Sequence, residues 1–213
     1  MKEQGSSTIE NLNDNPLVVL IHGWAAHRNL MWPLDWYLRR AGFTTTRFGY
    51  RSLFGSIEQH ADRFRQRLVE LDQSGRYSSI HIVAHSMGSI VTRQAFLHSH
   101  PDRMQRVVML APPNQGSPVA KFLARRIAPF CHTLGQLSDA EGSFVRQLPE
   151  PDGLEIGVIA ASYDHVIPYP NSSLRCLADR VTVFSGHNGL LIRRSCFRQV
   201  VQFLNTGRFA RLN

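Results

Sequence analysis

The sequence predicts an α/β fold in which a mostly parallel sheet of six strands carries helices on both faces. Strand and helix patterns alternate along the chain, which is typical of parallel strands joined by crossover helices. The first apolar segment, Leu17–Ile21, contains no polar residue, as expected of a strand that is buried on both faces. A length of 213 residues with 43% hydrophobic residues suits one domain around one core.

The predicted strands are short apolar runs bounded by turn residues. The first strand is followed by Gly23, the second begins just after Gly42, and Pro112 and Pro113 stop the fourth. These signals predict six strands, at residues 17–21, 43–48, 79–84, 106–111, 156–161 and 181–184.

The predicted helices carry apolar residues three or four positions apart. In the second helix these residues are Ile57, Ala61, Phe64, Leu68 and Leu71. Ser56 is a suitable N-cap for that helix, Gly75 ends it, and Pro101 is expected to end the third. The other long helices are predicted at residues 32–41, 86–100 and 190–204.

One long stretch, 112–153, interrupts the alternation. It holds a small apolar helix at 119–128, several glycines and prolines, and no strand. Connections of this length usually cover a site, bind a ligand or are disordered, and of these we predict a lid-like insertion. It lies within a single domain at 16–206, between a flexible N-terminal tail at 1–15 and a C-terminal tail at 207–213.

The hydropathy pattern argues against a membrane protein. No apolar run approaches 18 residues, so no transmembrane helix is predicted. The first sixteen residues are polar and lack the basic start and apolar middle of a secretion signal. The chain as given is therefore expected to be cytoplasmic.

The net charge of +8 suggests an anionic partner, but it does not identify one. The basic residues are dispersed, and no nucleic-acid-binding motif accompanies them, so nucleic acid is not expected as a partner. The densest cluster is Lys121, Arg125 and Arg126, for which weak contact with an anionic membrane is the open alternative to solvated charges. No obligate protein partner is evident.

Cysteine and histidine spacing predicts neither a disulfide framework nor a metal site. The three cysteines are widely separated and form no Cys-x-x-Cys pair. Among the ten histidines, His98 and His100 are two positions apart and would face different sides of a helix. We therefore expect no metal and no cofactor.

The strongest local motif is the pentapeptide from Ala84 to Gly88, which has Ser86 at its centre. Small residues on both sides of a serine permit the sharp strand-to-helix turn called a nucleophile elbow, which exposes the serine oxygen. The pentapeptide alone is weak. It gains weight because a predicted strand precedes it and a predicted helix follows it. Ser86 is therefore the candidate nucleophile.

A serine nucleophile needs a base, and the base needs an acid that orients it. Asp164 and His187 each follow a predicted strand, at the edge where a parallel sheet collects its site. His165 is the alternative base, although its position beside Asp164 argues against the pairing. The alternative acids are Asp139 and Asp152 in the insertion and Asp179, which precedes a strand.

At this point the chain resembles the α/β-hydrolase superfamily, and within it the small serine lipases and esterases, including lipase-like deacylases. The resemblance covers about residues 16–205. It rests on six motifs in order, each modest alone: HGW at 22–24, AHSMGS at 84–89, Arg93, LAPPNQGS at 110–117, SYDHVIP at 162–168 and GHNGLL at 186–191. Residues 142–144, with Leu148, also resemble the segment that precedes the acid-bearing strand in such lipases.

The resemblance implies a Ser86–Asp164–His187 triad, with backbone N–H groups of Trp24 and Met87 as the oxyanion hole. Alanine replaces the usual glycine at position 84, and serine stands at 89, where lipases often have a second glycine. With only about sixteen residues before the first strand, we expect a minimal six-stranded version of the fold. Its site would be covered only by residues 112–153.

The expected activity is hydrolysis of carboxylic esters, of lipids or other acyl groups, through an acyl-enzyme. Thioesters or amides are alternative substrates because the same residues serve them, and a non-catalytic interaction protein on this scaffold is a further alternative. Candidate pocket residues are His22, His85, Phe122, Phe144 and Val166. Apolar residues of the insertion could also line an acyl pocket, namely Phe122, Leu123, Ile127, Phe130, Phe144 and Leu148. They could equally pack one amphipathic helix onto the sheet.

Overall fold

The computed structural model describes residues 15–127 and 131–211. For Ile127 it describes the backbone but not the side chain. Six strands form one sheet in which all neighbouring strands are parallel. They are β1 (Leu17–Ile21), β2 (Thr44–Phe48), β3 (Ile80–His85), β4 (Met104–Leu110), β5 (Glu155–Ala161) and β6 (Asp179–Val183). Their order across the sheet is β2-β1-β3-β4-β5-β6. The predicted six-stranded parallel sheet is confirmed.

Helices cover both faces of the sheet. They are α1 (Trp32–Arg40), α2 (Ile57–Gln73), α3 (Met87–Ala95), α4 (Pro118–Ile127), α5 (His132–Gln136), α6 (Phe144–Gln147) and α7 (Arg194–Thr206). The apolar sides of α2 and α3 join one core cluster, and those of α1 and α7 join the cluster on the opposite face. Within the described residues, every helix is too short or too polar to cross a bilayer.

The core explains the uninterrupted apolar run of β1. Val19 packs into the cluster with α2 and α3, whereas Val18 and Leu20 pack into the cluster with α1 and α7. A strand buried on both faces gains from apolar residues at every position. Phe64, which is fully buried beneath the sheet, contributes on the order of 2–3 kcal/mol through this burial.

The capping of α2 follows the sequence signal. The Ser56 side chain accepts a hydrogen bond from the N–H of Gln59, and the Gln59 side chain accepts one from the N–H of Ser56. This reciprocal pair satisfies two donors at the helix start and fixes where the helix begins.

Two predicted helices have different bounds. The third ends at Ala95 rather than at residue 100, because Leu97, His98 and Ser99 are exposed and no packing holds them in a helix. The final predicted helix, 190–204, is a 3₁₀ turn (Asn188–Leu191) followed by α7, with extended backbone at Arg193 between them.

The predicted tails are only partly described. Residues 1–14 of the N-terminal tail, residue 128 of the small helix and residues 212–213 lie outside the described residues. The rest of the predicted C-terminal tail packs against the domain. Phe209 is buried, its N–H donates to Asp179, and its ring lies 4.7 Å from that of Phe203.

Candidate active site

Ser86 occupies a strained turn between β3 and α3. Its φ of 52° and ψ of −125° are values that side-chain-bearing residues rarely adopt. The Ser86 N–H donates to the carbonyl of Leu110 at 2.9 Å, which anchors the turn to β4. The turn lifts the side chain beyond the carboxyl edge of the sheet, where it borders a cavity.

The glycines around this turn are required by close packing. Ile21 pairs with Ala84, so the segments that follow β1 and β3 leave the sheet side by side. A Cβ at Gly23 would lie 2.9 Å from Cβ of Ser86, and one at Gly88 would lie 2.7 Å from the carbonyl oxygen of His22. The small residues of the motif thus let α3 approach β1.

His187 joins Ser86 to Asp164. Its Nε2 lies 3.0 Å from Oγ of Ser86, and its Nδ1 lies 2.7 Å from Oδ2 of Asp164. An ionised carboxylate has no proton to donate, so Nδ1 carries the proton and Nε2 is left as the acceptor for the Ser86 hydroxyl. This arrangement can remove a proton from Ser86 when its oxygen attacks an electrophile.

The side chain of Asp164 is buried, and both of its oxygens accept hydrogen bonds. Its side chain is 3% exposed, and its second oxygen, Oδ1, accepts the N–H groups of Val166 at 2.9 Å and Ile167 at 2.8 Å. It follows β5 directly, while His187 follows β6. Since β5 and β6 are neighbours in the sheet, their carboxyl ends bring the two side chains together.

The other candidate acids and the other candidate base lie elsewhere. His165 is exposed. Asp179 begins β6 at the opposite edge of the sheet, and its carboxylate accepts the N–H of Phe209 at 2.8 Å. Asp139 lies 3.7 Å from the ammonium of Lys121, and Asp152 accepts the N–H of Gly153.

Two backbone amides border Ser86. Met87 is the first residue of α3, so its N–H has no acceptor within the helix. Trp24 follows the close contact between Gly23 and Ser86, and its indole N–H donates to Sγ of Cys131 at 3.2 Å.

His22 fixes the peptide that joins Gly23 to Trp24. Its Nδ1 lies 2.9 Å from the carbonyl oxygen of Gly23, and its Nε2 faces the N–H of Tyr50 at 3.5 Å. Only a neutral ring with its proton on Nδ1 satisfies both contacts, and burial lowers the pKa of His22, which favours that form. The Tyr50 ring stacks on His22 at 4.4 Å, and its hydroxyl donates to the His22 carbonyl at 2.7 Å.

His85 precedes Ser86 and also lines the cavity. Burial, reinforced by nearby His187, lowers the pKa of His85 to about 3, so its ring is neutral at ordinary pH. Its Nε2 lies 3.4 Å from the carbonyl oxygen of His187. His85, the last residue of β3, therefore links the end of that strand to the segment that carries His187.

A cavity of about 280 Å³ opens beside Ser86 and His187. Most of its walls are apolar. They are formed mainly by the segment after β1, by the insertion and by the turn after Asp164: Trp24, Ala25, Leu30, Val119, Ala120, Leu123, Leu134, Leu137, Val166 and Ile167. Its volume is at the small end for ligand pockets.

The cavity agrees with only part of the predicted pocket. His85 and Val166 line it. His22 is buried behind the turn at Gly23, and Phe144 lies on the far side of the insertion, beside His132 and Gln136. Phe122 is exposed under the guanidinium of Arg126, because successive residues of α4 face different sides, whereas the neighbouring candidate, Leu123, does line the cavity. Leu148 packs into the core, and Phe130 and the side chain of Ile127 lie outside the described residues.

Sequence reasoning missed Tyr50, Leu134 and Leu137. Tyr50 follows β2 at the same edge of the sheet as the other site residues, so the edge rule could have identified it. The two leucines belong to α5 and the residue after it, and a helix of five residues is too short to give a periodic signal.

Arg93 connects the ends of the insertion to α3. Its guanidinium is buried and donates to the carbonyls of Asn114 at 3.1 Å and Leu148 at 2.6 Å. Burial lowers the pKa of Arg93 to about 10, which still leaves the side chain charged near neutral pH.

Among the described residues, no group of three or more His, Cys, Asp or Glu side chains is arranged to hold a metal ion.

Comparison with known families gives one match. A family model described as "alpha/beta hydrolase fold" matches residues 16–149, more than half of the chain. No curated protein matches the sequence.

Several solved structures share the architecture. Mature Bacillus licheniformis lipase BlEst2 has a TM-score of 0.69 at 13% identity, covering 92% of this chain and 93% of that one. Aspergillus fumigatus lipase B has a TM-score of 0.75 at 15% identity, over 91% and 53% of the two chains. An extracellular α/β-hydrolase from a Paenibacillus species has a TM-score of 0.61 at 15% identity, over 90% and 98%. At these identities the likeness establishes the fold.

Proposed function

The chain belongs to the α/β-hydrolase family, and on that basis we propose that it is a serine esterase that hydrolyses carboxylic esters through an acyl-enzyme. The observation that carries the proposal is the hydrogen-bonded series from Ser86 through His187 to Asp164 at the edge of an apolar cavity. Two of the structural relatives are named lipases, which supports ester chemistry.

In the first half of the reaction, His187 Nε2 takes the proton of Ser86 as Oγ attacks the ester carbonyl carbon. The carbonyl oxygen becomes an oxyanion, which the N–H groups of Trp24 and Met87 stabilise. When the C–O bond breaks, the protonated His187 gives its proton to the departing alcohol. Asp164 holds the ring in the required tautomer and stabilises its positive charge.

In the second half, water takes the place of the alcohol. His187 removes a proton from the water, which attacks the acyl carbon, and a second oxyanion forms in the same position. Its collapse breaks the bond to Ser86, whose oxygen recovers a proton from His187. The products are the carboxylic acid and the original Ser86 hydroxyl.

His22 has a positioning role in this scheme. In a trans peptide the C=O and the following N–H point in opposite directions. The hydrogen bond from His22 to the Gly23 carbonyl therefore also fixes the direction of the Trp24 N–H. A prepositioned donor stabilises the oxyanion without reorganisation during the reaction.

The cavity supports a small acyl group as the preferred substrate. Its volume of about 280 Å³ and its apolar walls suit a short hydrocarbon chain better than a long one. The alcohol portion is left to the open side of the site. Thioesters remain the main alternative, because their cleavage uses the same groups.

The test is reaction of the purified full chain with a fluorophosphonate probe, followed by assays on p-nitrophenyl esters from acetate to palmitate and on the matching thioesters. Ser86→Ala should abolish labelling and lower kcat by about 10⁶, and His187→Ala should lower both strongly. His165→Ala is the matched control and should behave as the wild type. A folded wild-type protein that neither reacts with the probe nor cleaves any ester would refute the proposal.

A further inference from the structure

Four of the loops at the edge of the sheet that carries Ser86 expose large hydrophobic side chains. The rim is defined here as the four segments that follow β1, β2, β5 and β6, at 22–31, 49–56, 162–168 and 184–193. All four leave the sheet at its carboxyl edge, where Ser86 lies. The rim contains six of the eleven exposed large hydrophobic side chains of the described residues: Leu30, Leu53, Phe54, Tyr163, Phe184 and Ile192.

The most exposed of these residues are also the best placed to contact a partner. Phe184 is 70% exposed, and Phe54 and Ile192 are each 66% exposed. Phe54 follows β2 at one side of the sheet, while Phe184 and Ile192 follow β6 at the other. Five strand spacings separate β2 from β6, so the two strands that these loops follow lie about 24 Å apart across the sheet.

The exposed charged side chains of the rim are arginines. Arg28, Arg51 and Arg193 are exposed, and Arg194 continues the basic surface into α7. The only acid in the four segments is Asp164, whose side chain is 3% exposed and bonded to His187. The exposed charged side chains of Asp, Glu, Lys and Arg in these four segments are therefore all basic.

We propose that the rim binds an anionic lipid surface and directs the cavity toward it. Arginines at the rim would meet phosphate headgroups, and the protruding aromatic and aliphatic side chains would enter the boundary between headgroups and acyl chains. The apolar side chains form two separate groups that follow strands at opposite sides of the sheet. A deformable bilayer can receive both groups at once.

This binding does not depend on the proposed hydrolysis, so the two can be tested apart. The full-length Ser86→Ala protein is mixed with vesicles of phosphatidylcholine, alone or with about one-third phosphatidylglycerol, in about 0.1 M and about 0.5 M NaCl, and bound protein is measured by co-sedimentation. We expect binding to the anionic vesicles that weakens at the higher salt concentration, with little binding to the neutral ones.

Two variants test the rim directly. Arg51→Gln with Arg193→Gln should weaken binding about fivefold for each arginine removed. Phe54→Ser with Phe184→Ser should weaken it about tenfold or more. The matched controls are Arg65→Gln with Arg76→Gln, and Leu97→Ser at the opposite edge of the sheet, which should bind as the parent does.

In an otherwise wild-type chain, all of these variants should cleave p-nitrophenyl acetate at the wild-type rate, because none of the altered residues lines the cavity. Equal binding to neutral and anionic vesicles, equal losses in the controls, or no binding to any vesicle would overturn the proposal. Failure to bind any vesicle would point to an acidic protein as the partner. Vesicle binding by a chain without esterase activity would refute the proposed hydrolysis alone.

Discussion

Asp164 holds His187 with one carboxylate oxygen while the backbone holds the other. Oδ2 lies 2.7 Å from Nδ1 of His187, and Oδ1 accepts the N–H groups of Val166 and Ile167 at 2.9 and 2.8 Å. Rotation of the carboxylate would break two hydrogen bonds, so its orientation is fixed. The position of the imidazole ring therefore depends on the short turn that follows β5.

Asp164→Asn should lower kcat by about 10⁴ without unfolding the protein. The two backbone N–H groups require an acceptor, so the amide oxygen must replace Oδ1 and the NH₂ group must face His187. Nδ1 then has to accept a hydrogen bond, which moves the ring proton to Nε2, where it blocks proton transfer from Ser86. Steady-state kinetics on a p-nitrophenyl ester measure the loss.

Asp152→Asn is the matched control, since its carboxylate accepts only the N–H of Gly153 at the surface. It should keep wild-type kcat. If the variant at 152 lost activity and the one at 164 kept it, the assignment of the acid would be wrong.

His22→Ala should lower kcat about tenfold and change KM by less than about twofold, because it loosens an oxyanion donor and removes no substrate contact. His22→Asn retains a side-chain N–H that can reach a nearby carbonyl, and it should restore part of kcat. Urea unfolding of each variant separates lost positioning from lost stability. A raised KM with unchanged kcat would instead make His22 a pocket residue.

Gly88→Ala should destabilise the protein by about 3 kcal/mol. The added methyl would lie 2.7 and 2.8 Å from the carbonyl oxygens of His22 and Ile21, and neither backbone segment can move without disturbing β1. Gly135→Ala is the control, because nothing lies within 4 Å of its Cβ position and it sits in α5. That change should stabilise by up to about 1 kcal/mol in urea unfolding.

Stability should fall as the pH drops below about 6.5. Burial lowers the pKa of His85 to about 3 and that of His81 to about 4 from an ordinary value of 6.5. The unfolded chain therefore binds more protons than the folded chain between pH 6.5 and these lowered values. At pH 5 each histidine should reduce the free energy of unfolding by about 2 kcal/mol relative to neutral pH.

The check is urea unfolding at pH 7.5 and pH 5 for the wild type and for His81→Gln, which removes one of the two groups. The variant should lose about 2 kcal/mol less than the wild type between the two pH values. The same substitution at exposed His98 is the control. An identical pH dependence for His81→Gln and wild type would contradict the prediction.

The strands could be predicted from sequence because burial on both faces favours apolar residues at every position, as in β1. Each observed strand lies within two residues of its predicted bounds at both ends. The end of the helix that follows Ser86 is harder to predict. It lies at Ala95, just before the exposed residues 97–99, and the sequence gives no direct record of burial. The two short helices α5 and α6 contain too few residues for any periodic pattern.

For the site, the sequence predicted residues tied to a local turn and failed for residues that depend on packing. Ser86, Asp164 and His187 each follow a strand, and the parallel sheet brings their side chains within hydrogen-bonding distance as predicted. Phe122 and Leu123 are both apolar and adjacent in sequence, so only the rotation of α4 decides that Leu123 faces the cavity. The catalytic roles of Ser86, Asp164 and His187 are predictions that the variants above test.

Arg93 allows the insertion to vary in sequence without moving α3. Its guanidinium holds the carbonyls of Asn114 and Leu148, so both ends of the stretch are anchored to the helix that begins at the nucleophile candidate. Changes of length or composition between these anchors need not move that helix. Substitutions within residues 115–147 can therefore change which ligand the cavity prefers. The side chains proposed to cleave the ester bond, Ser86, His187 and Asp164, would keep their positions.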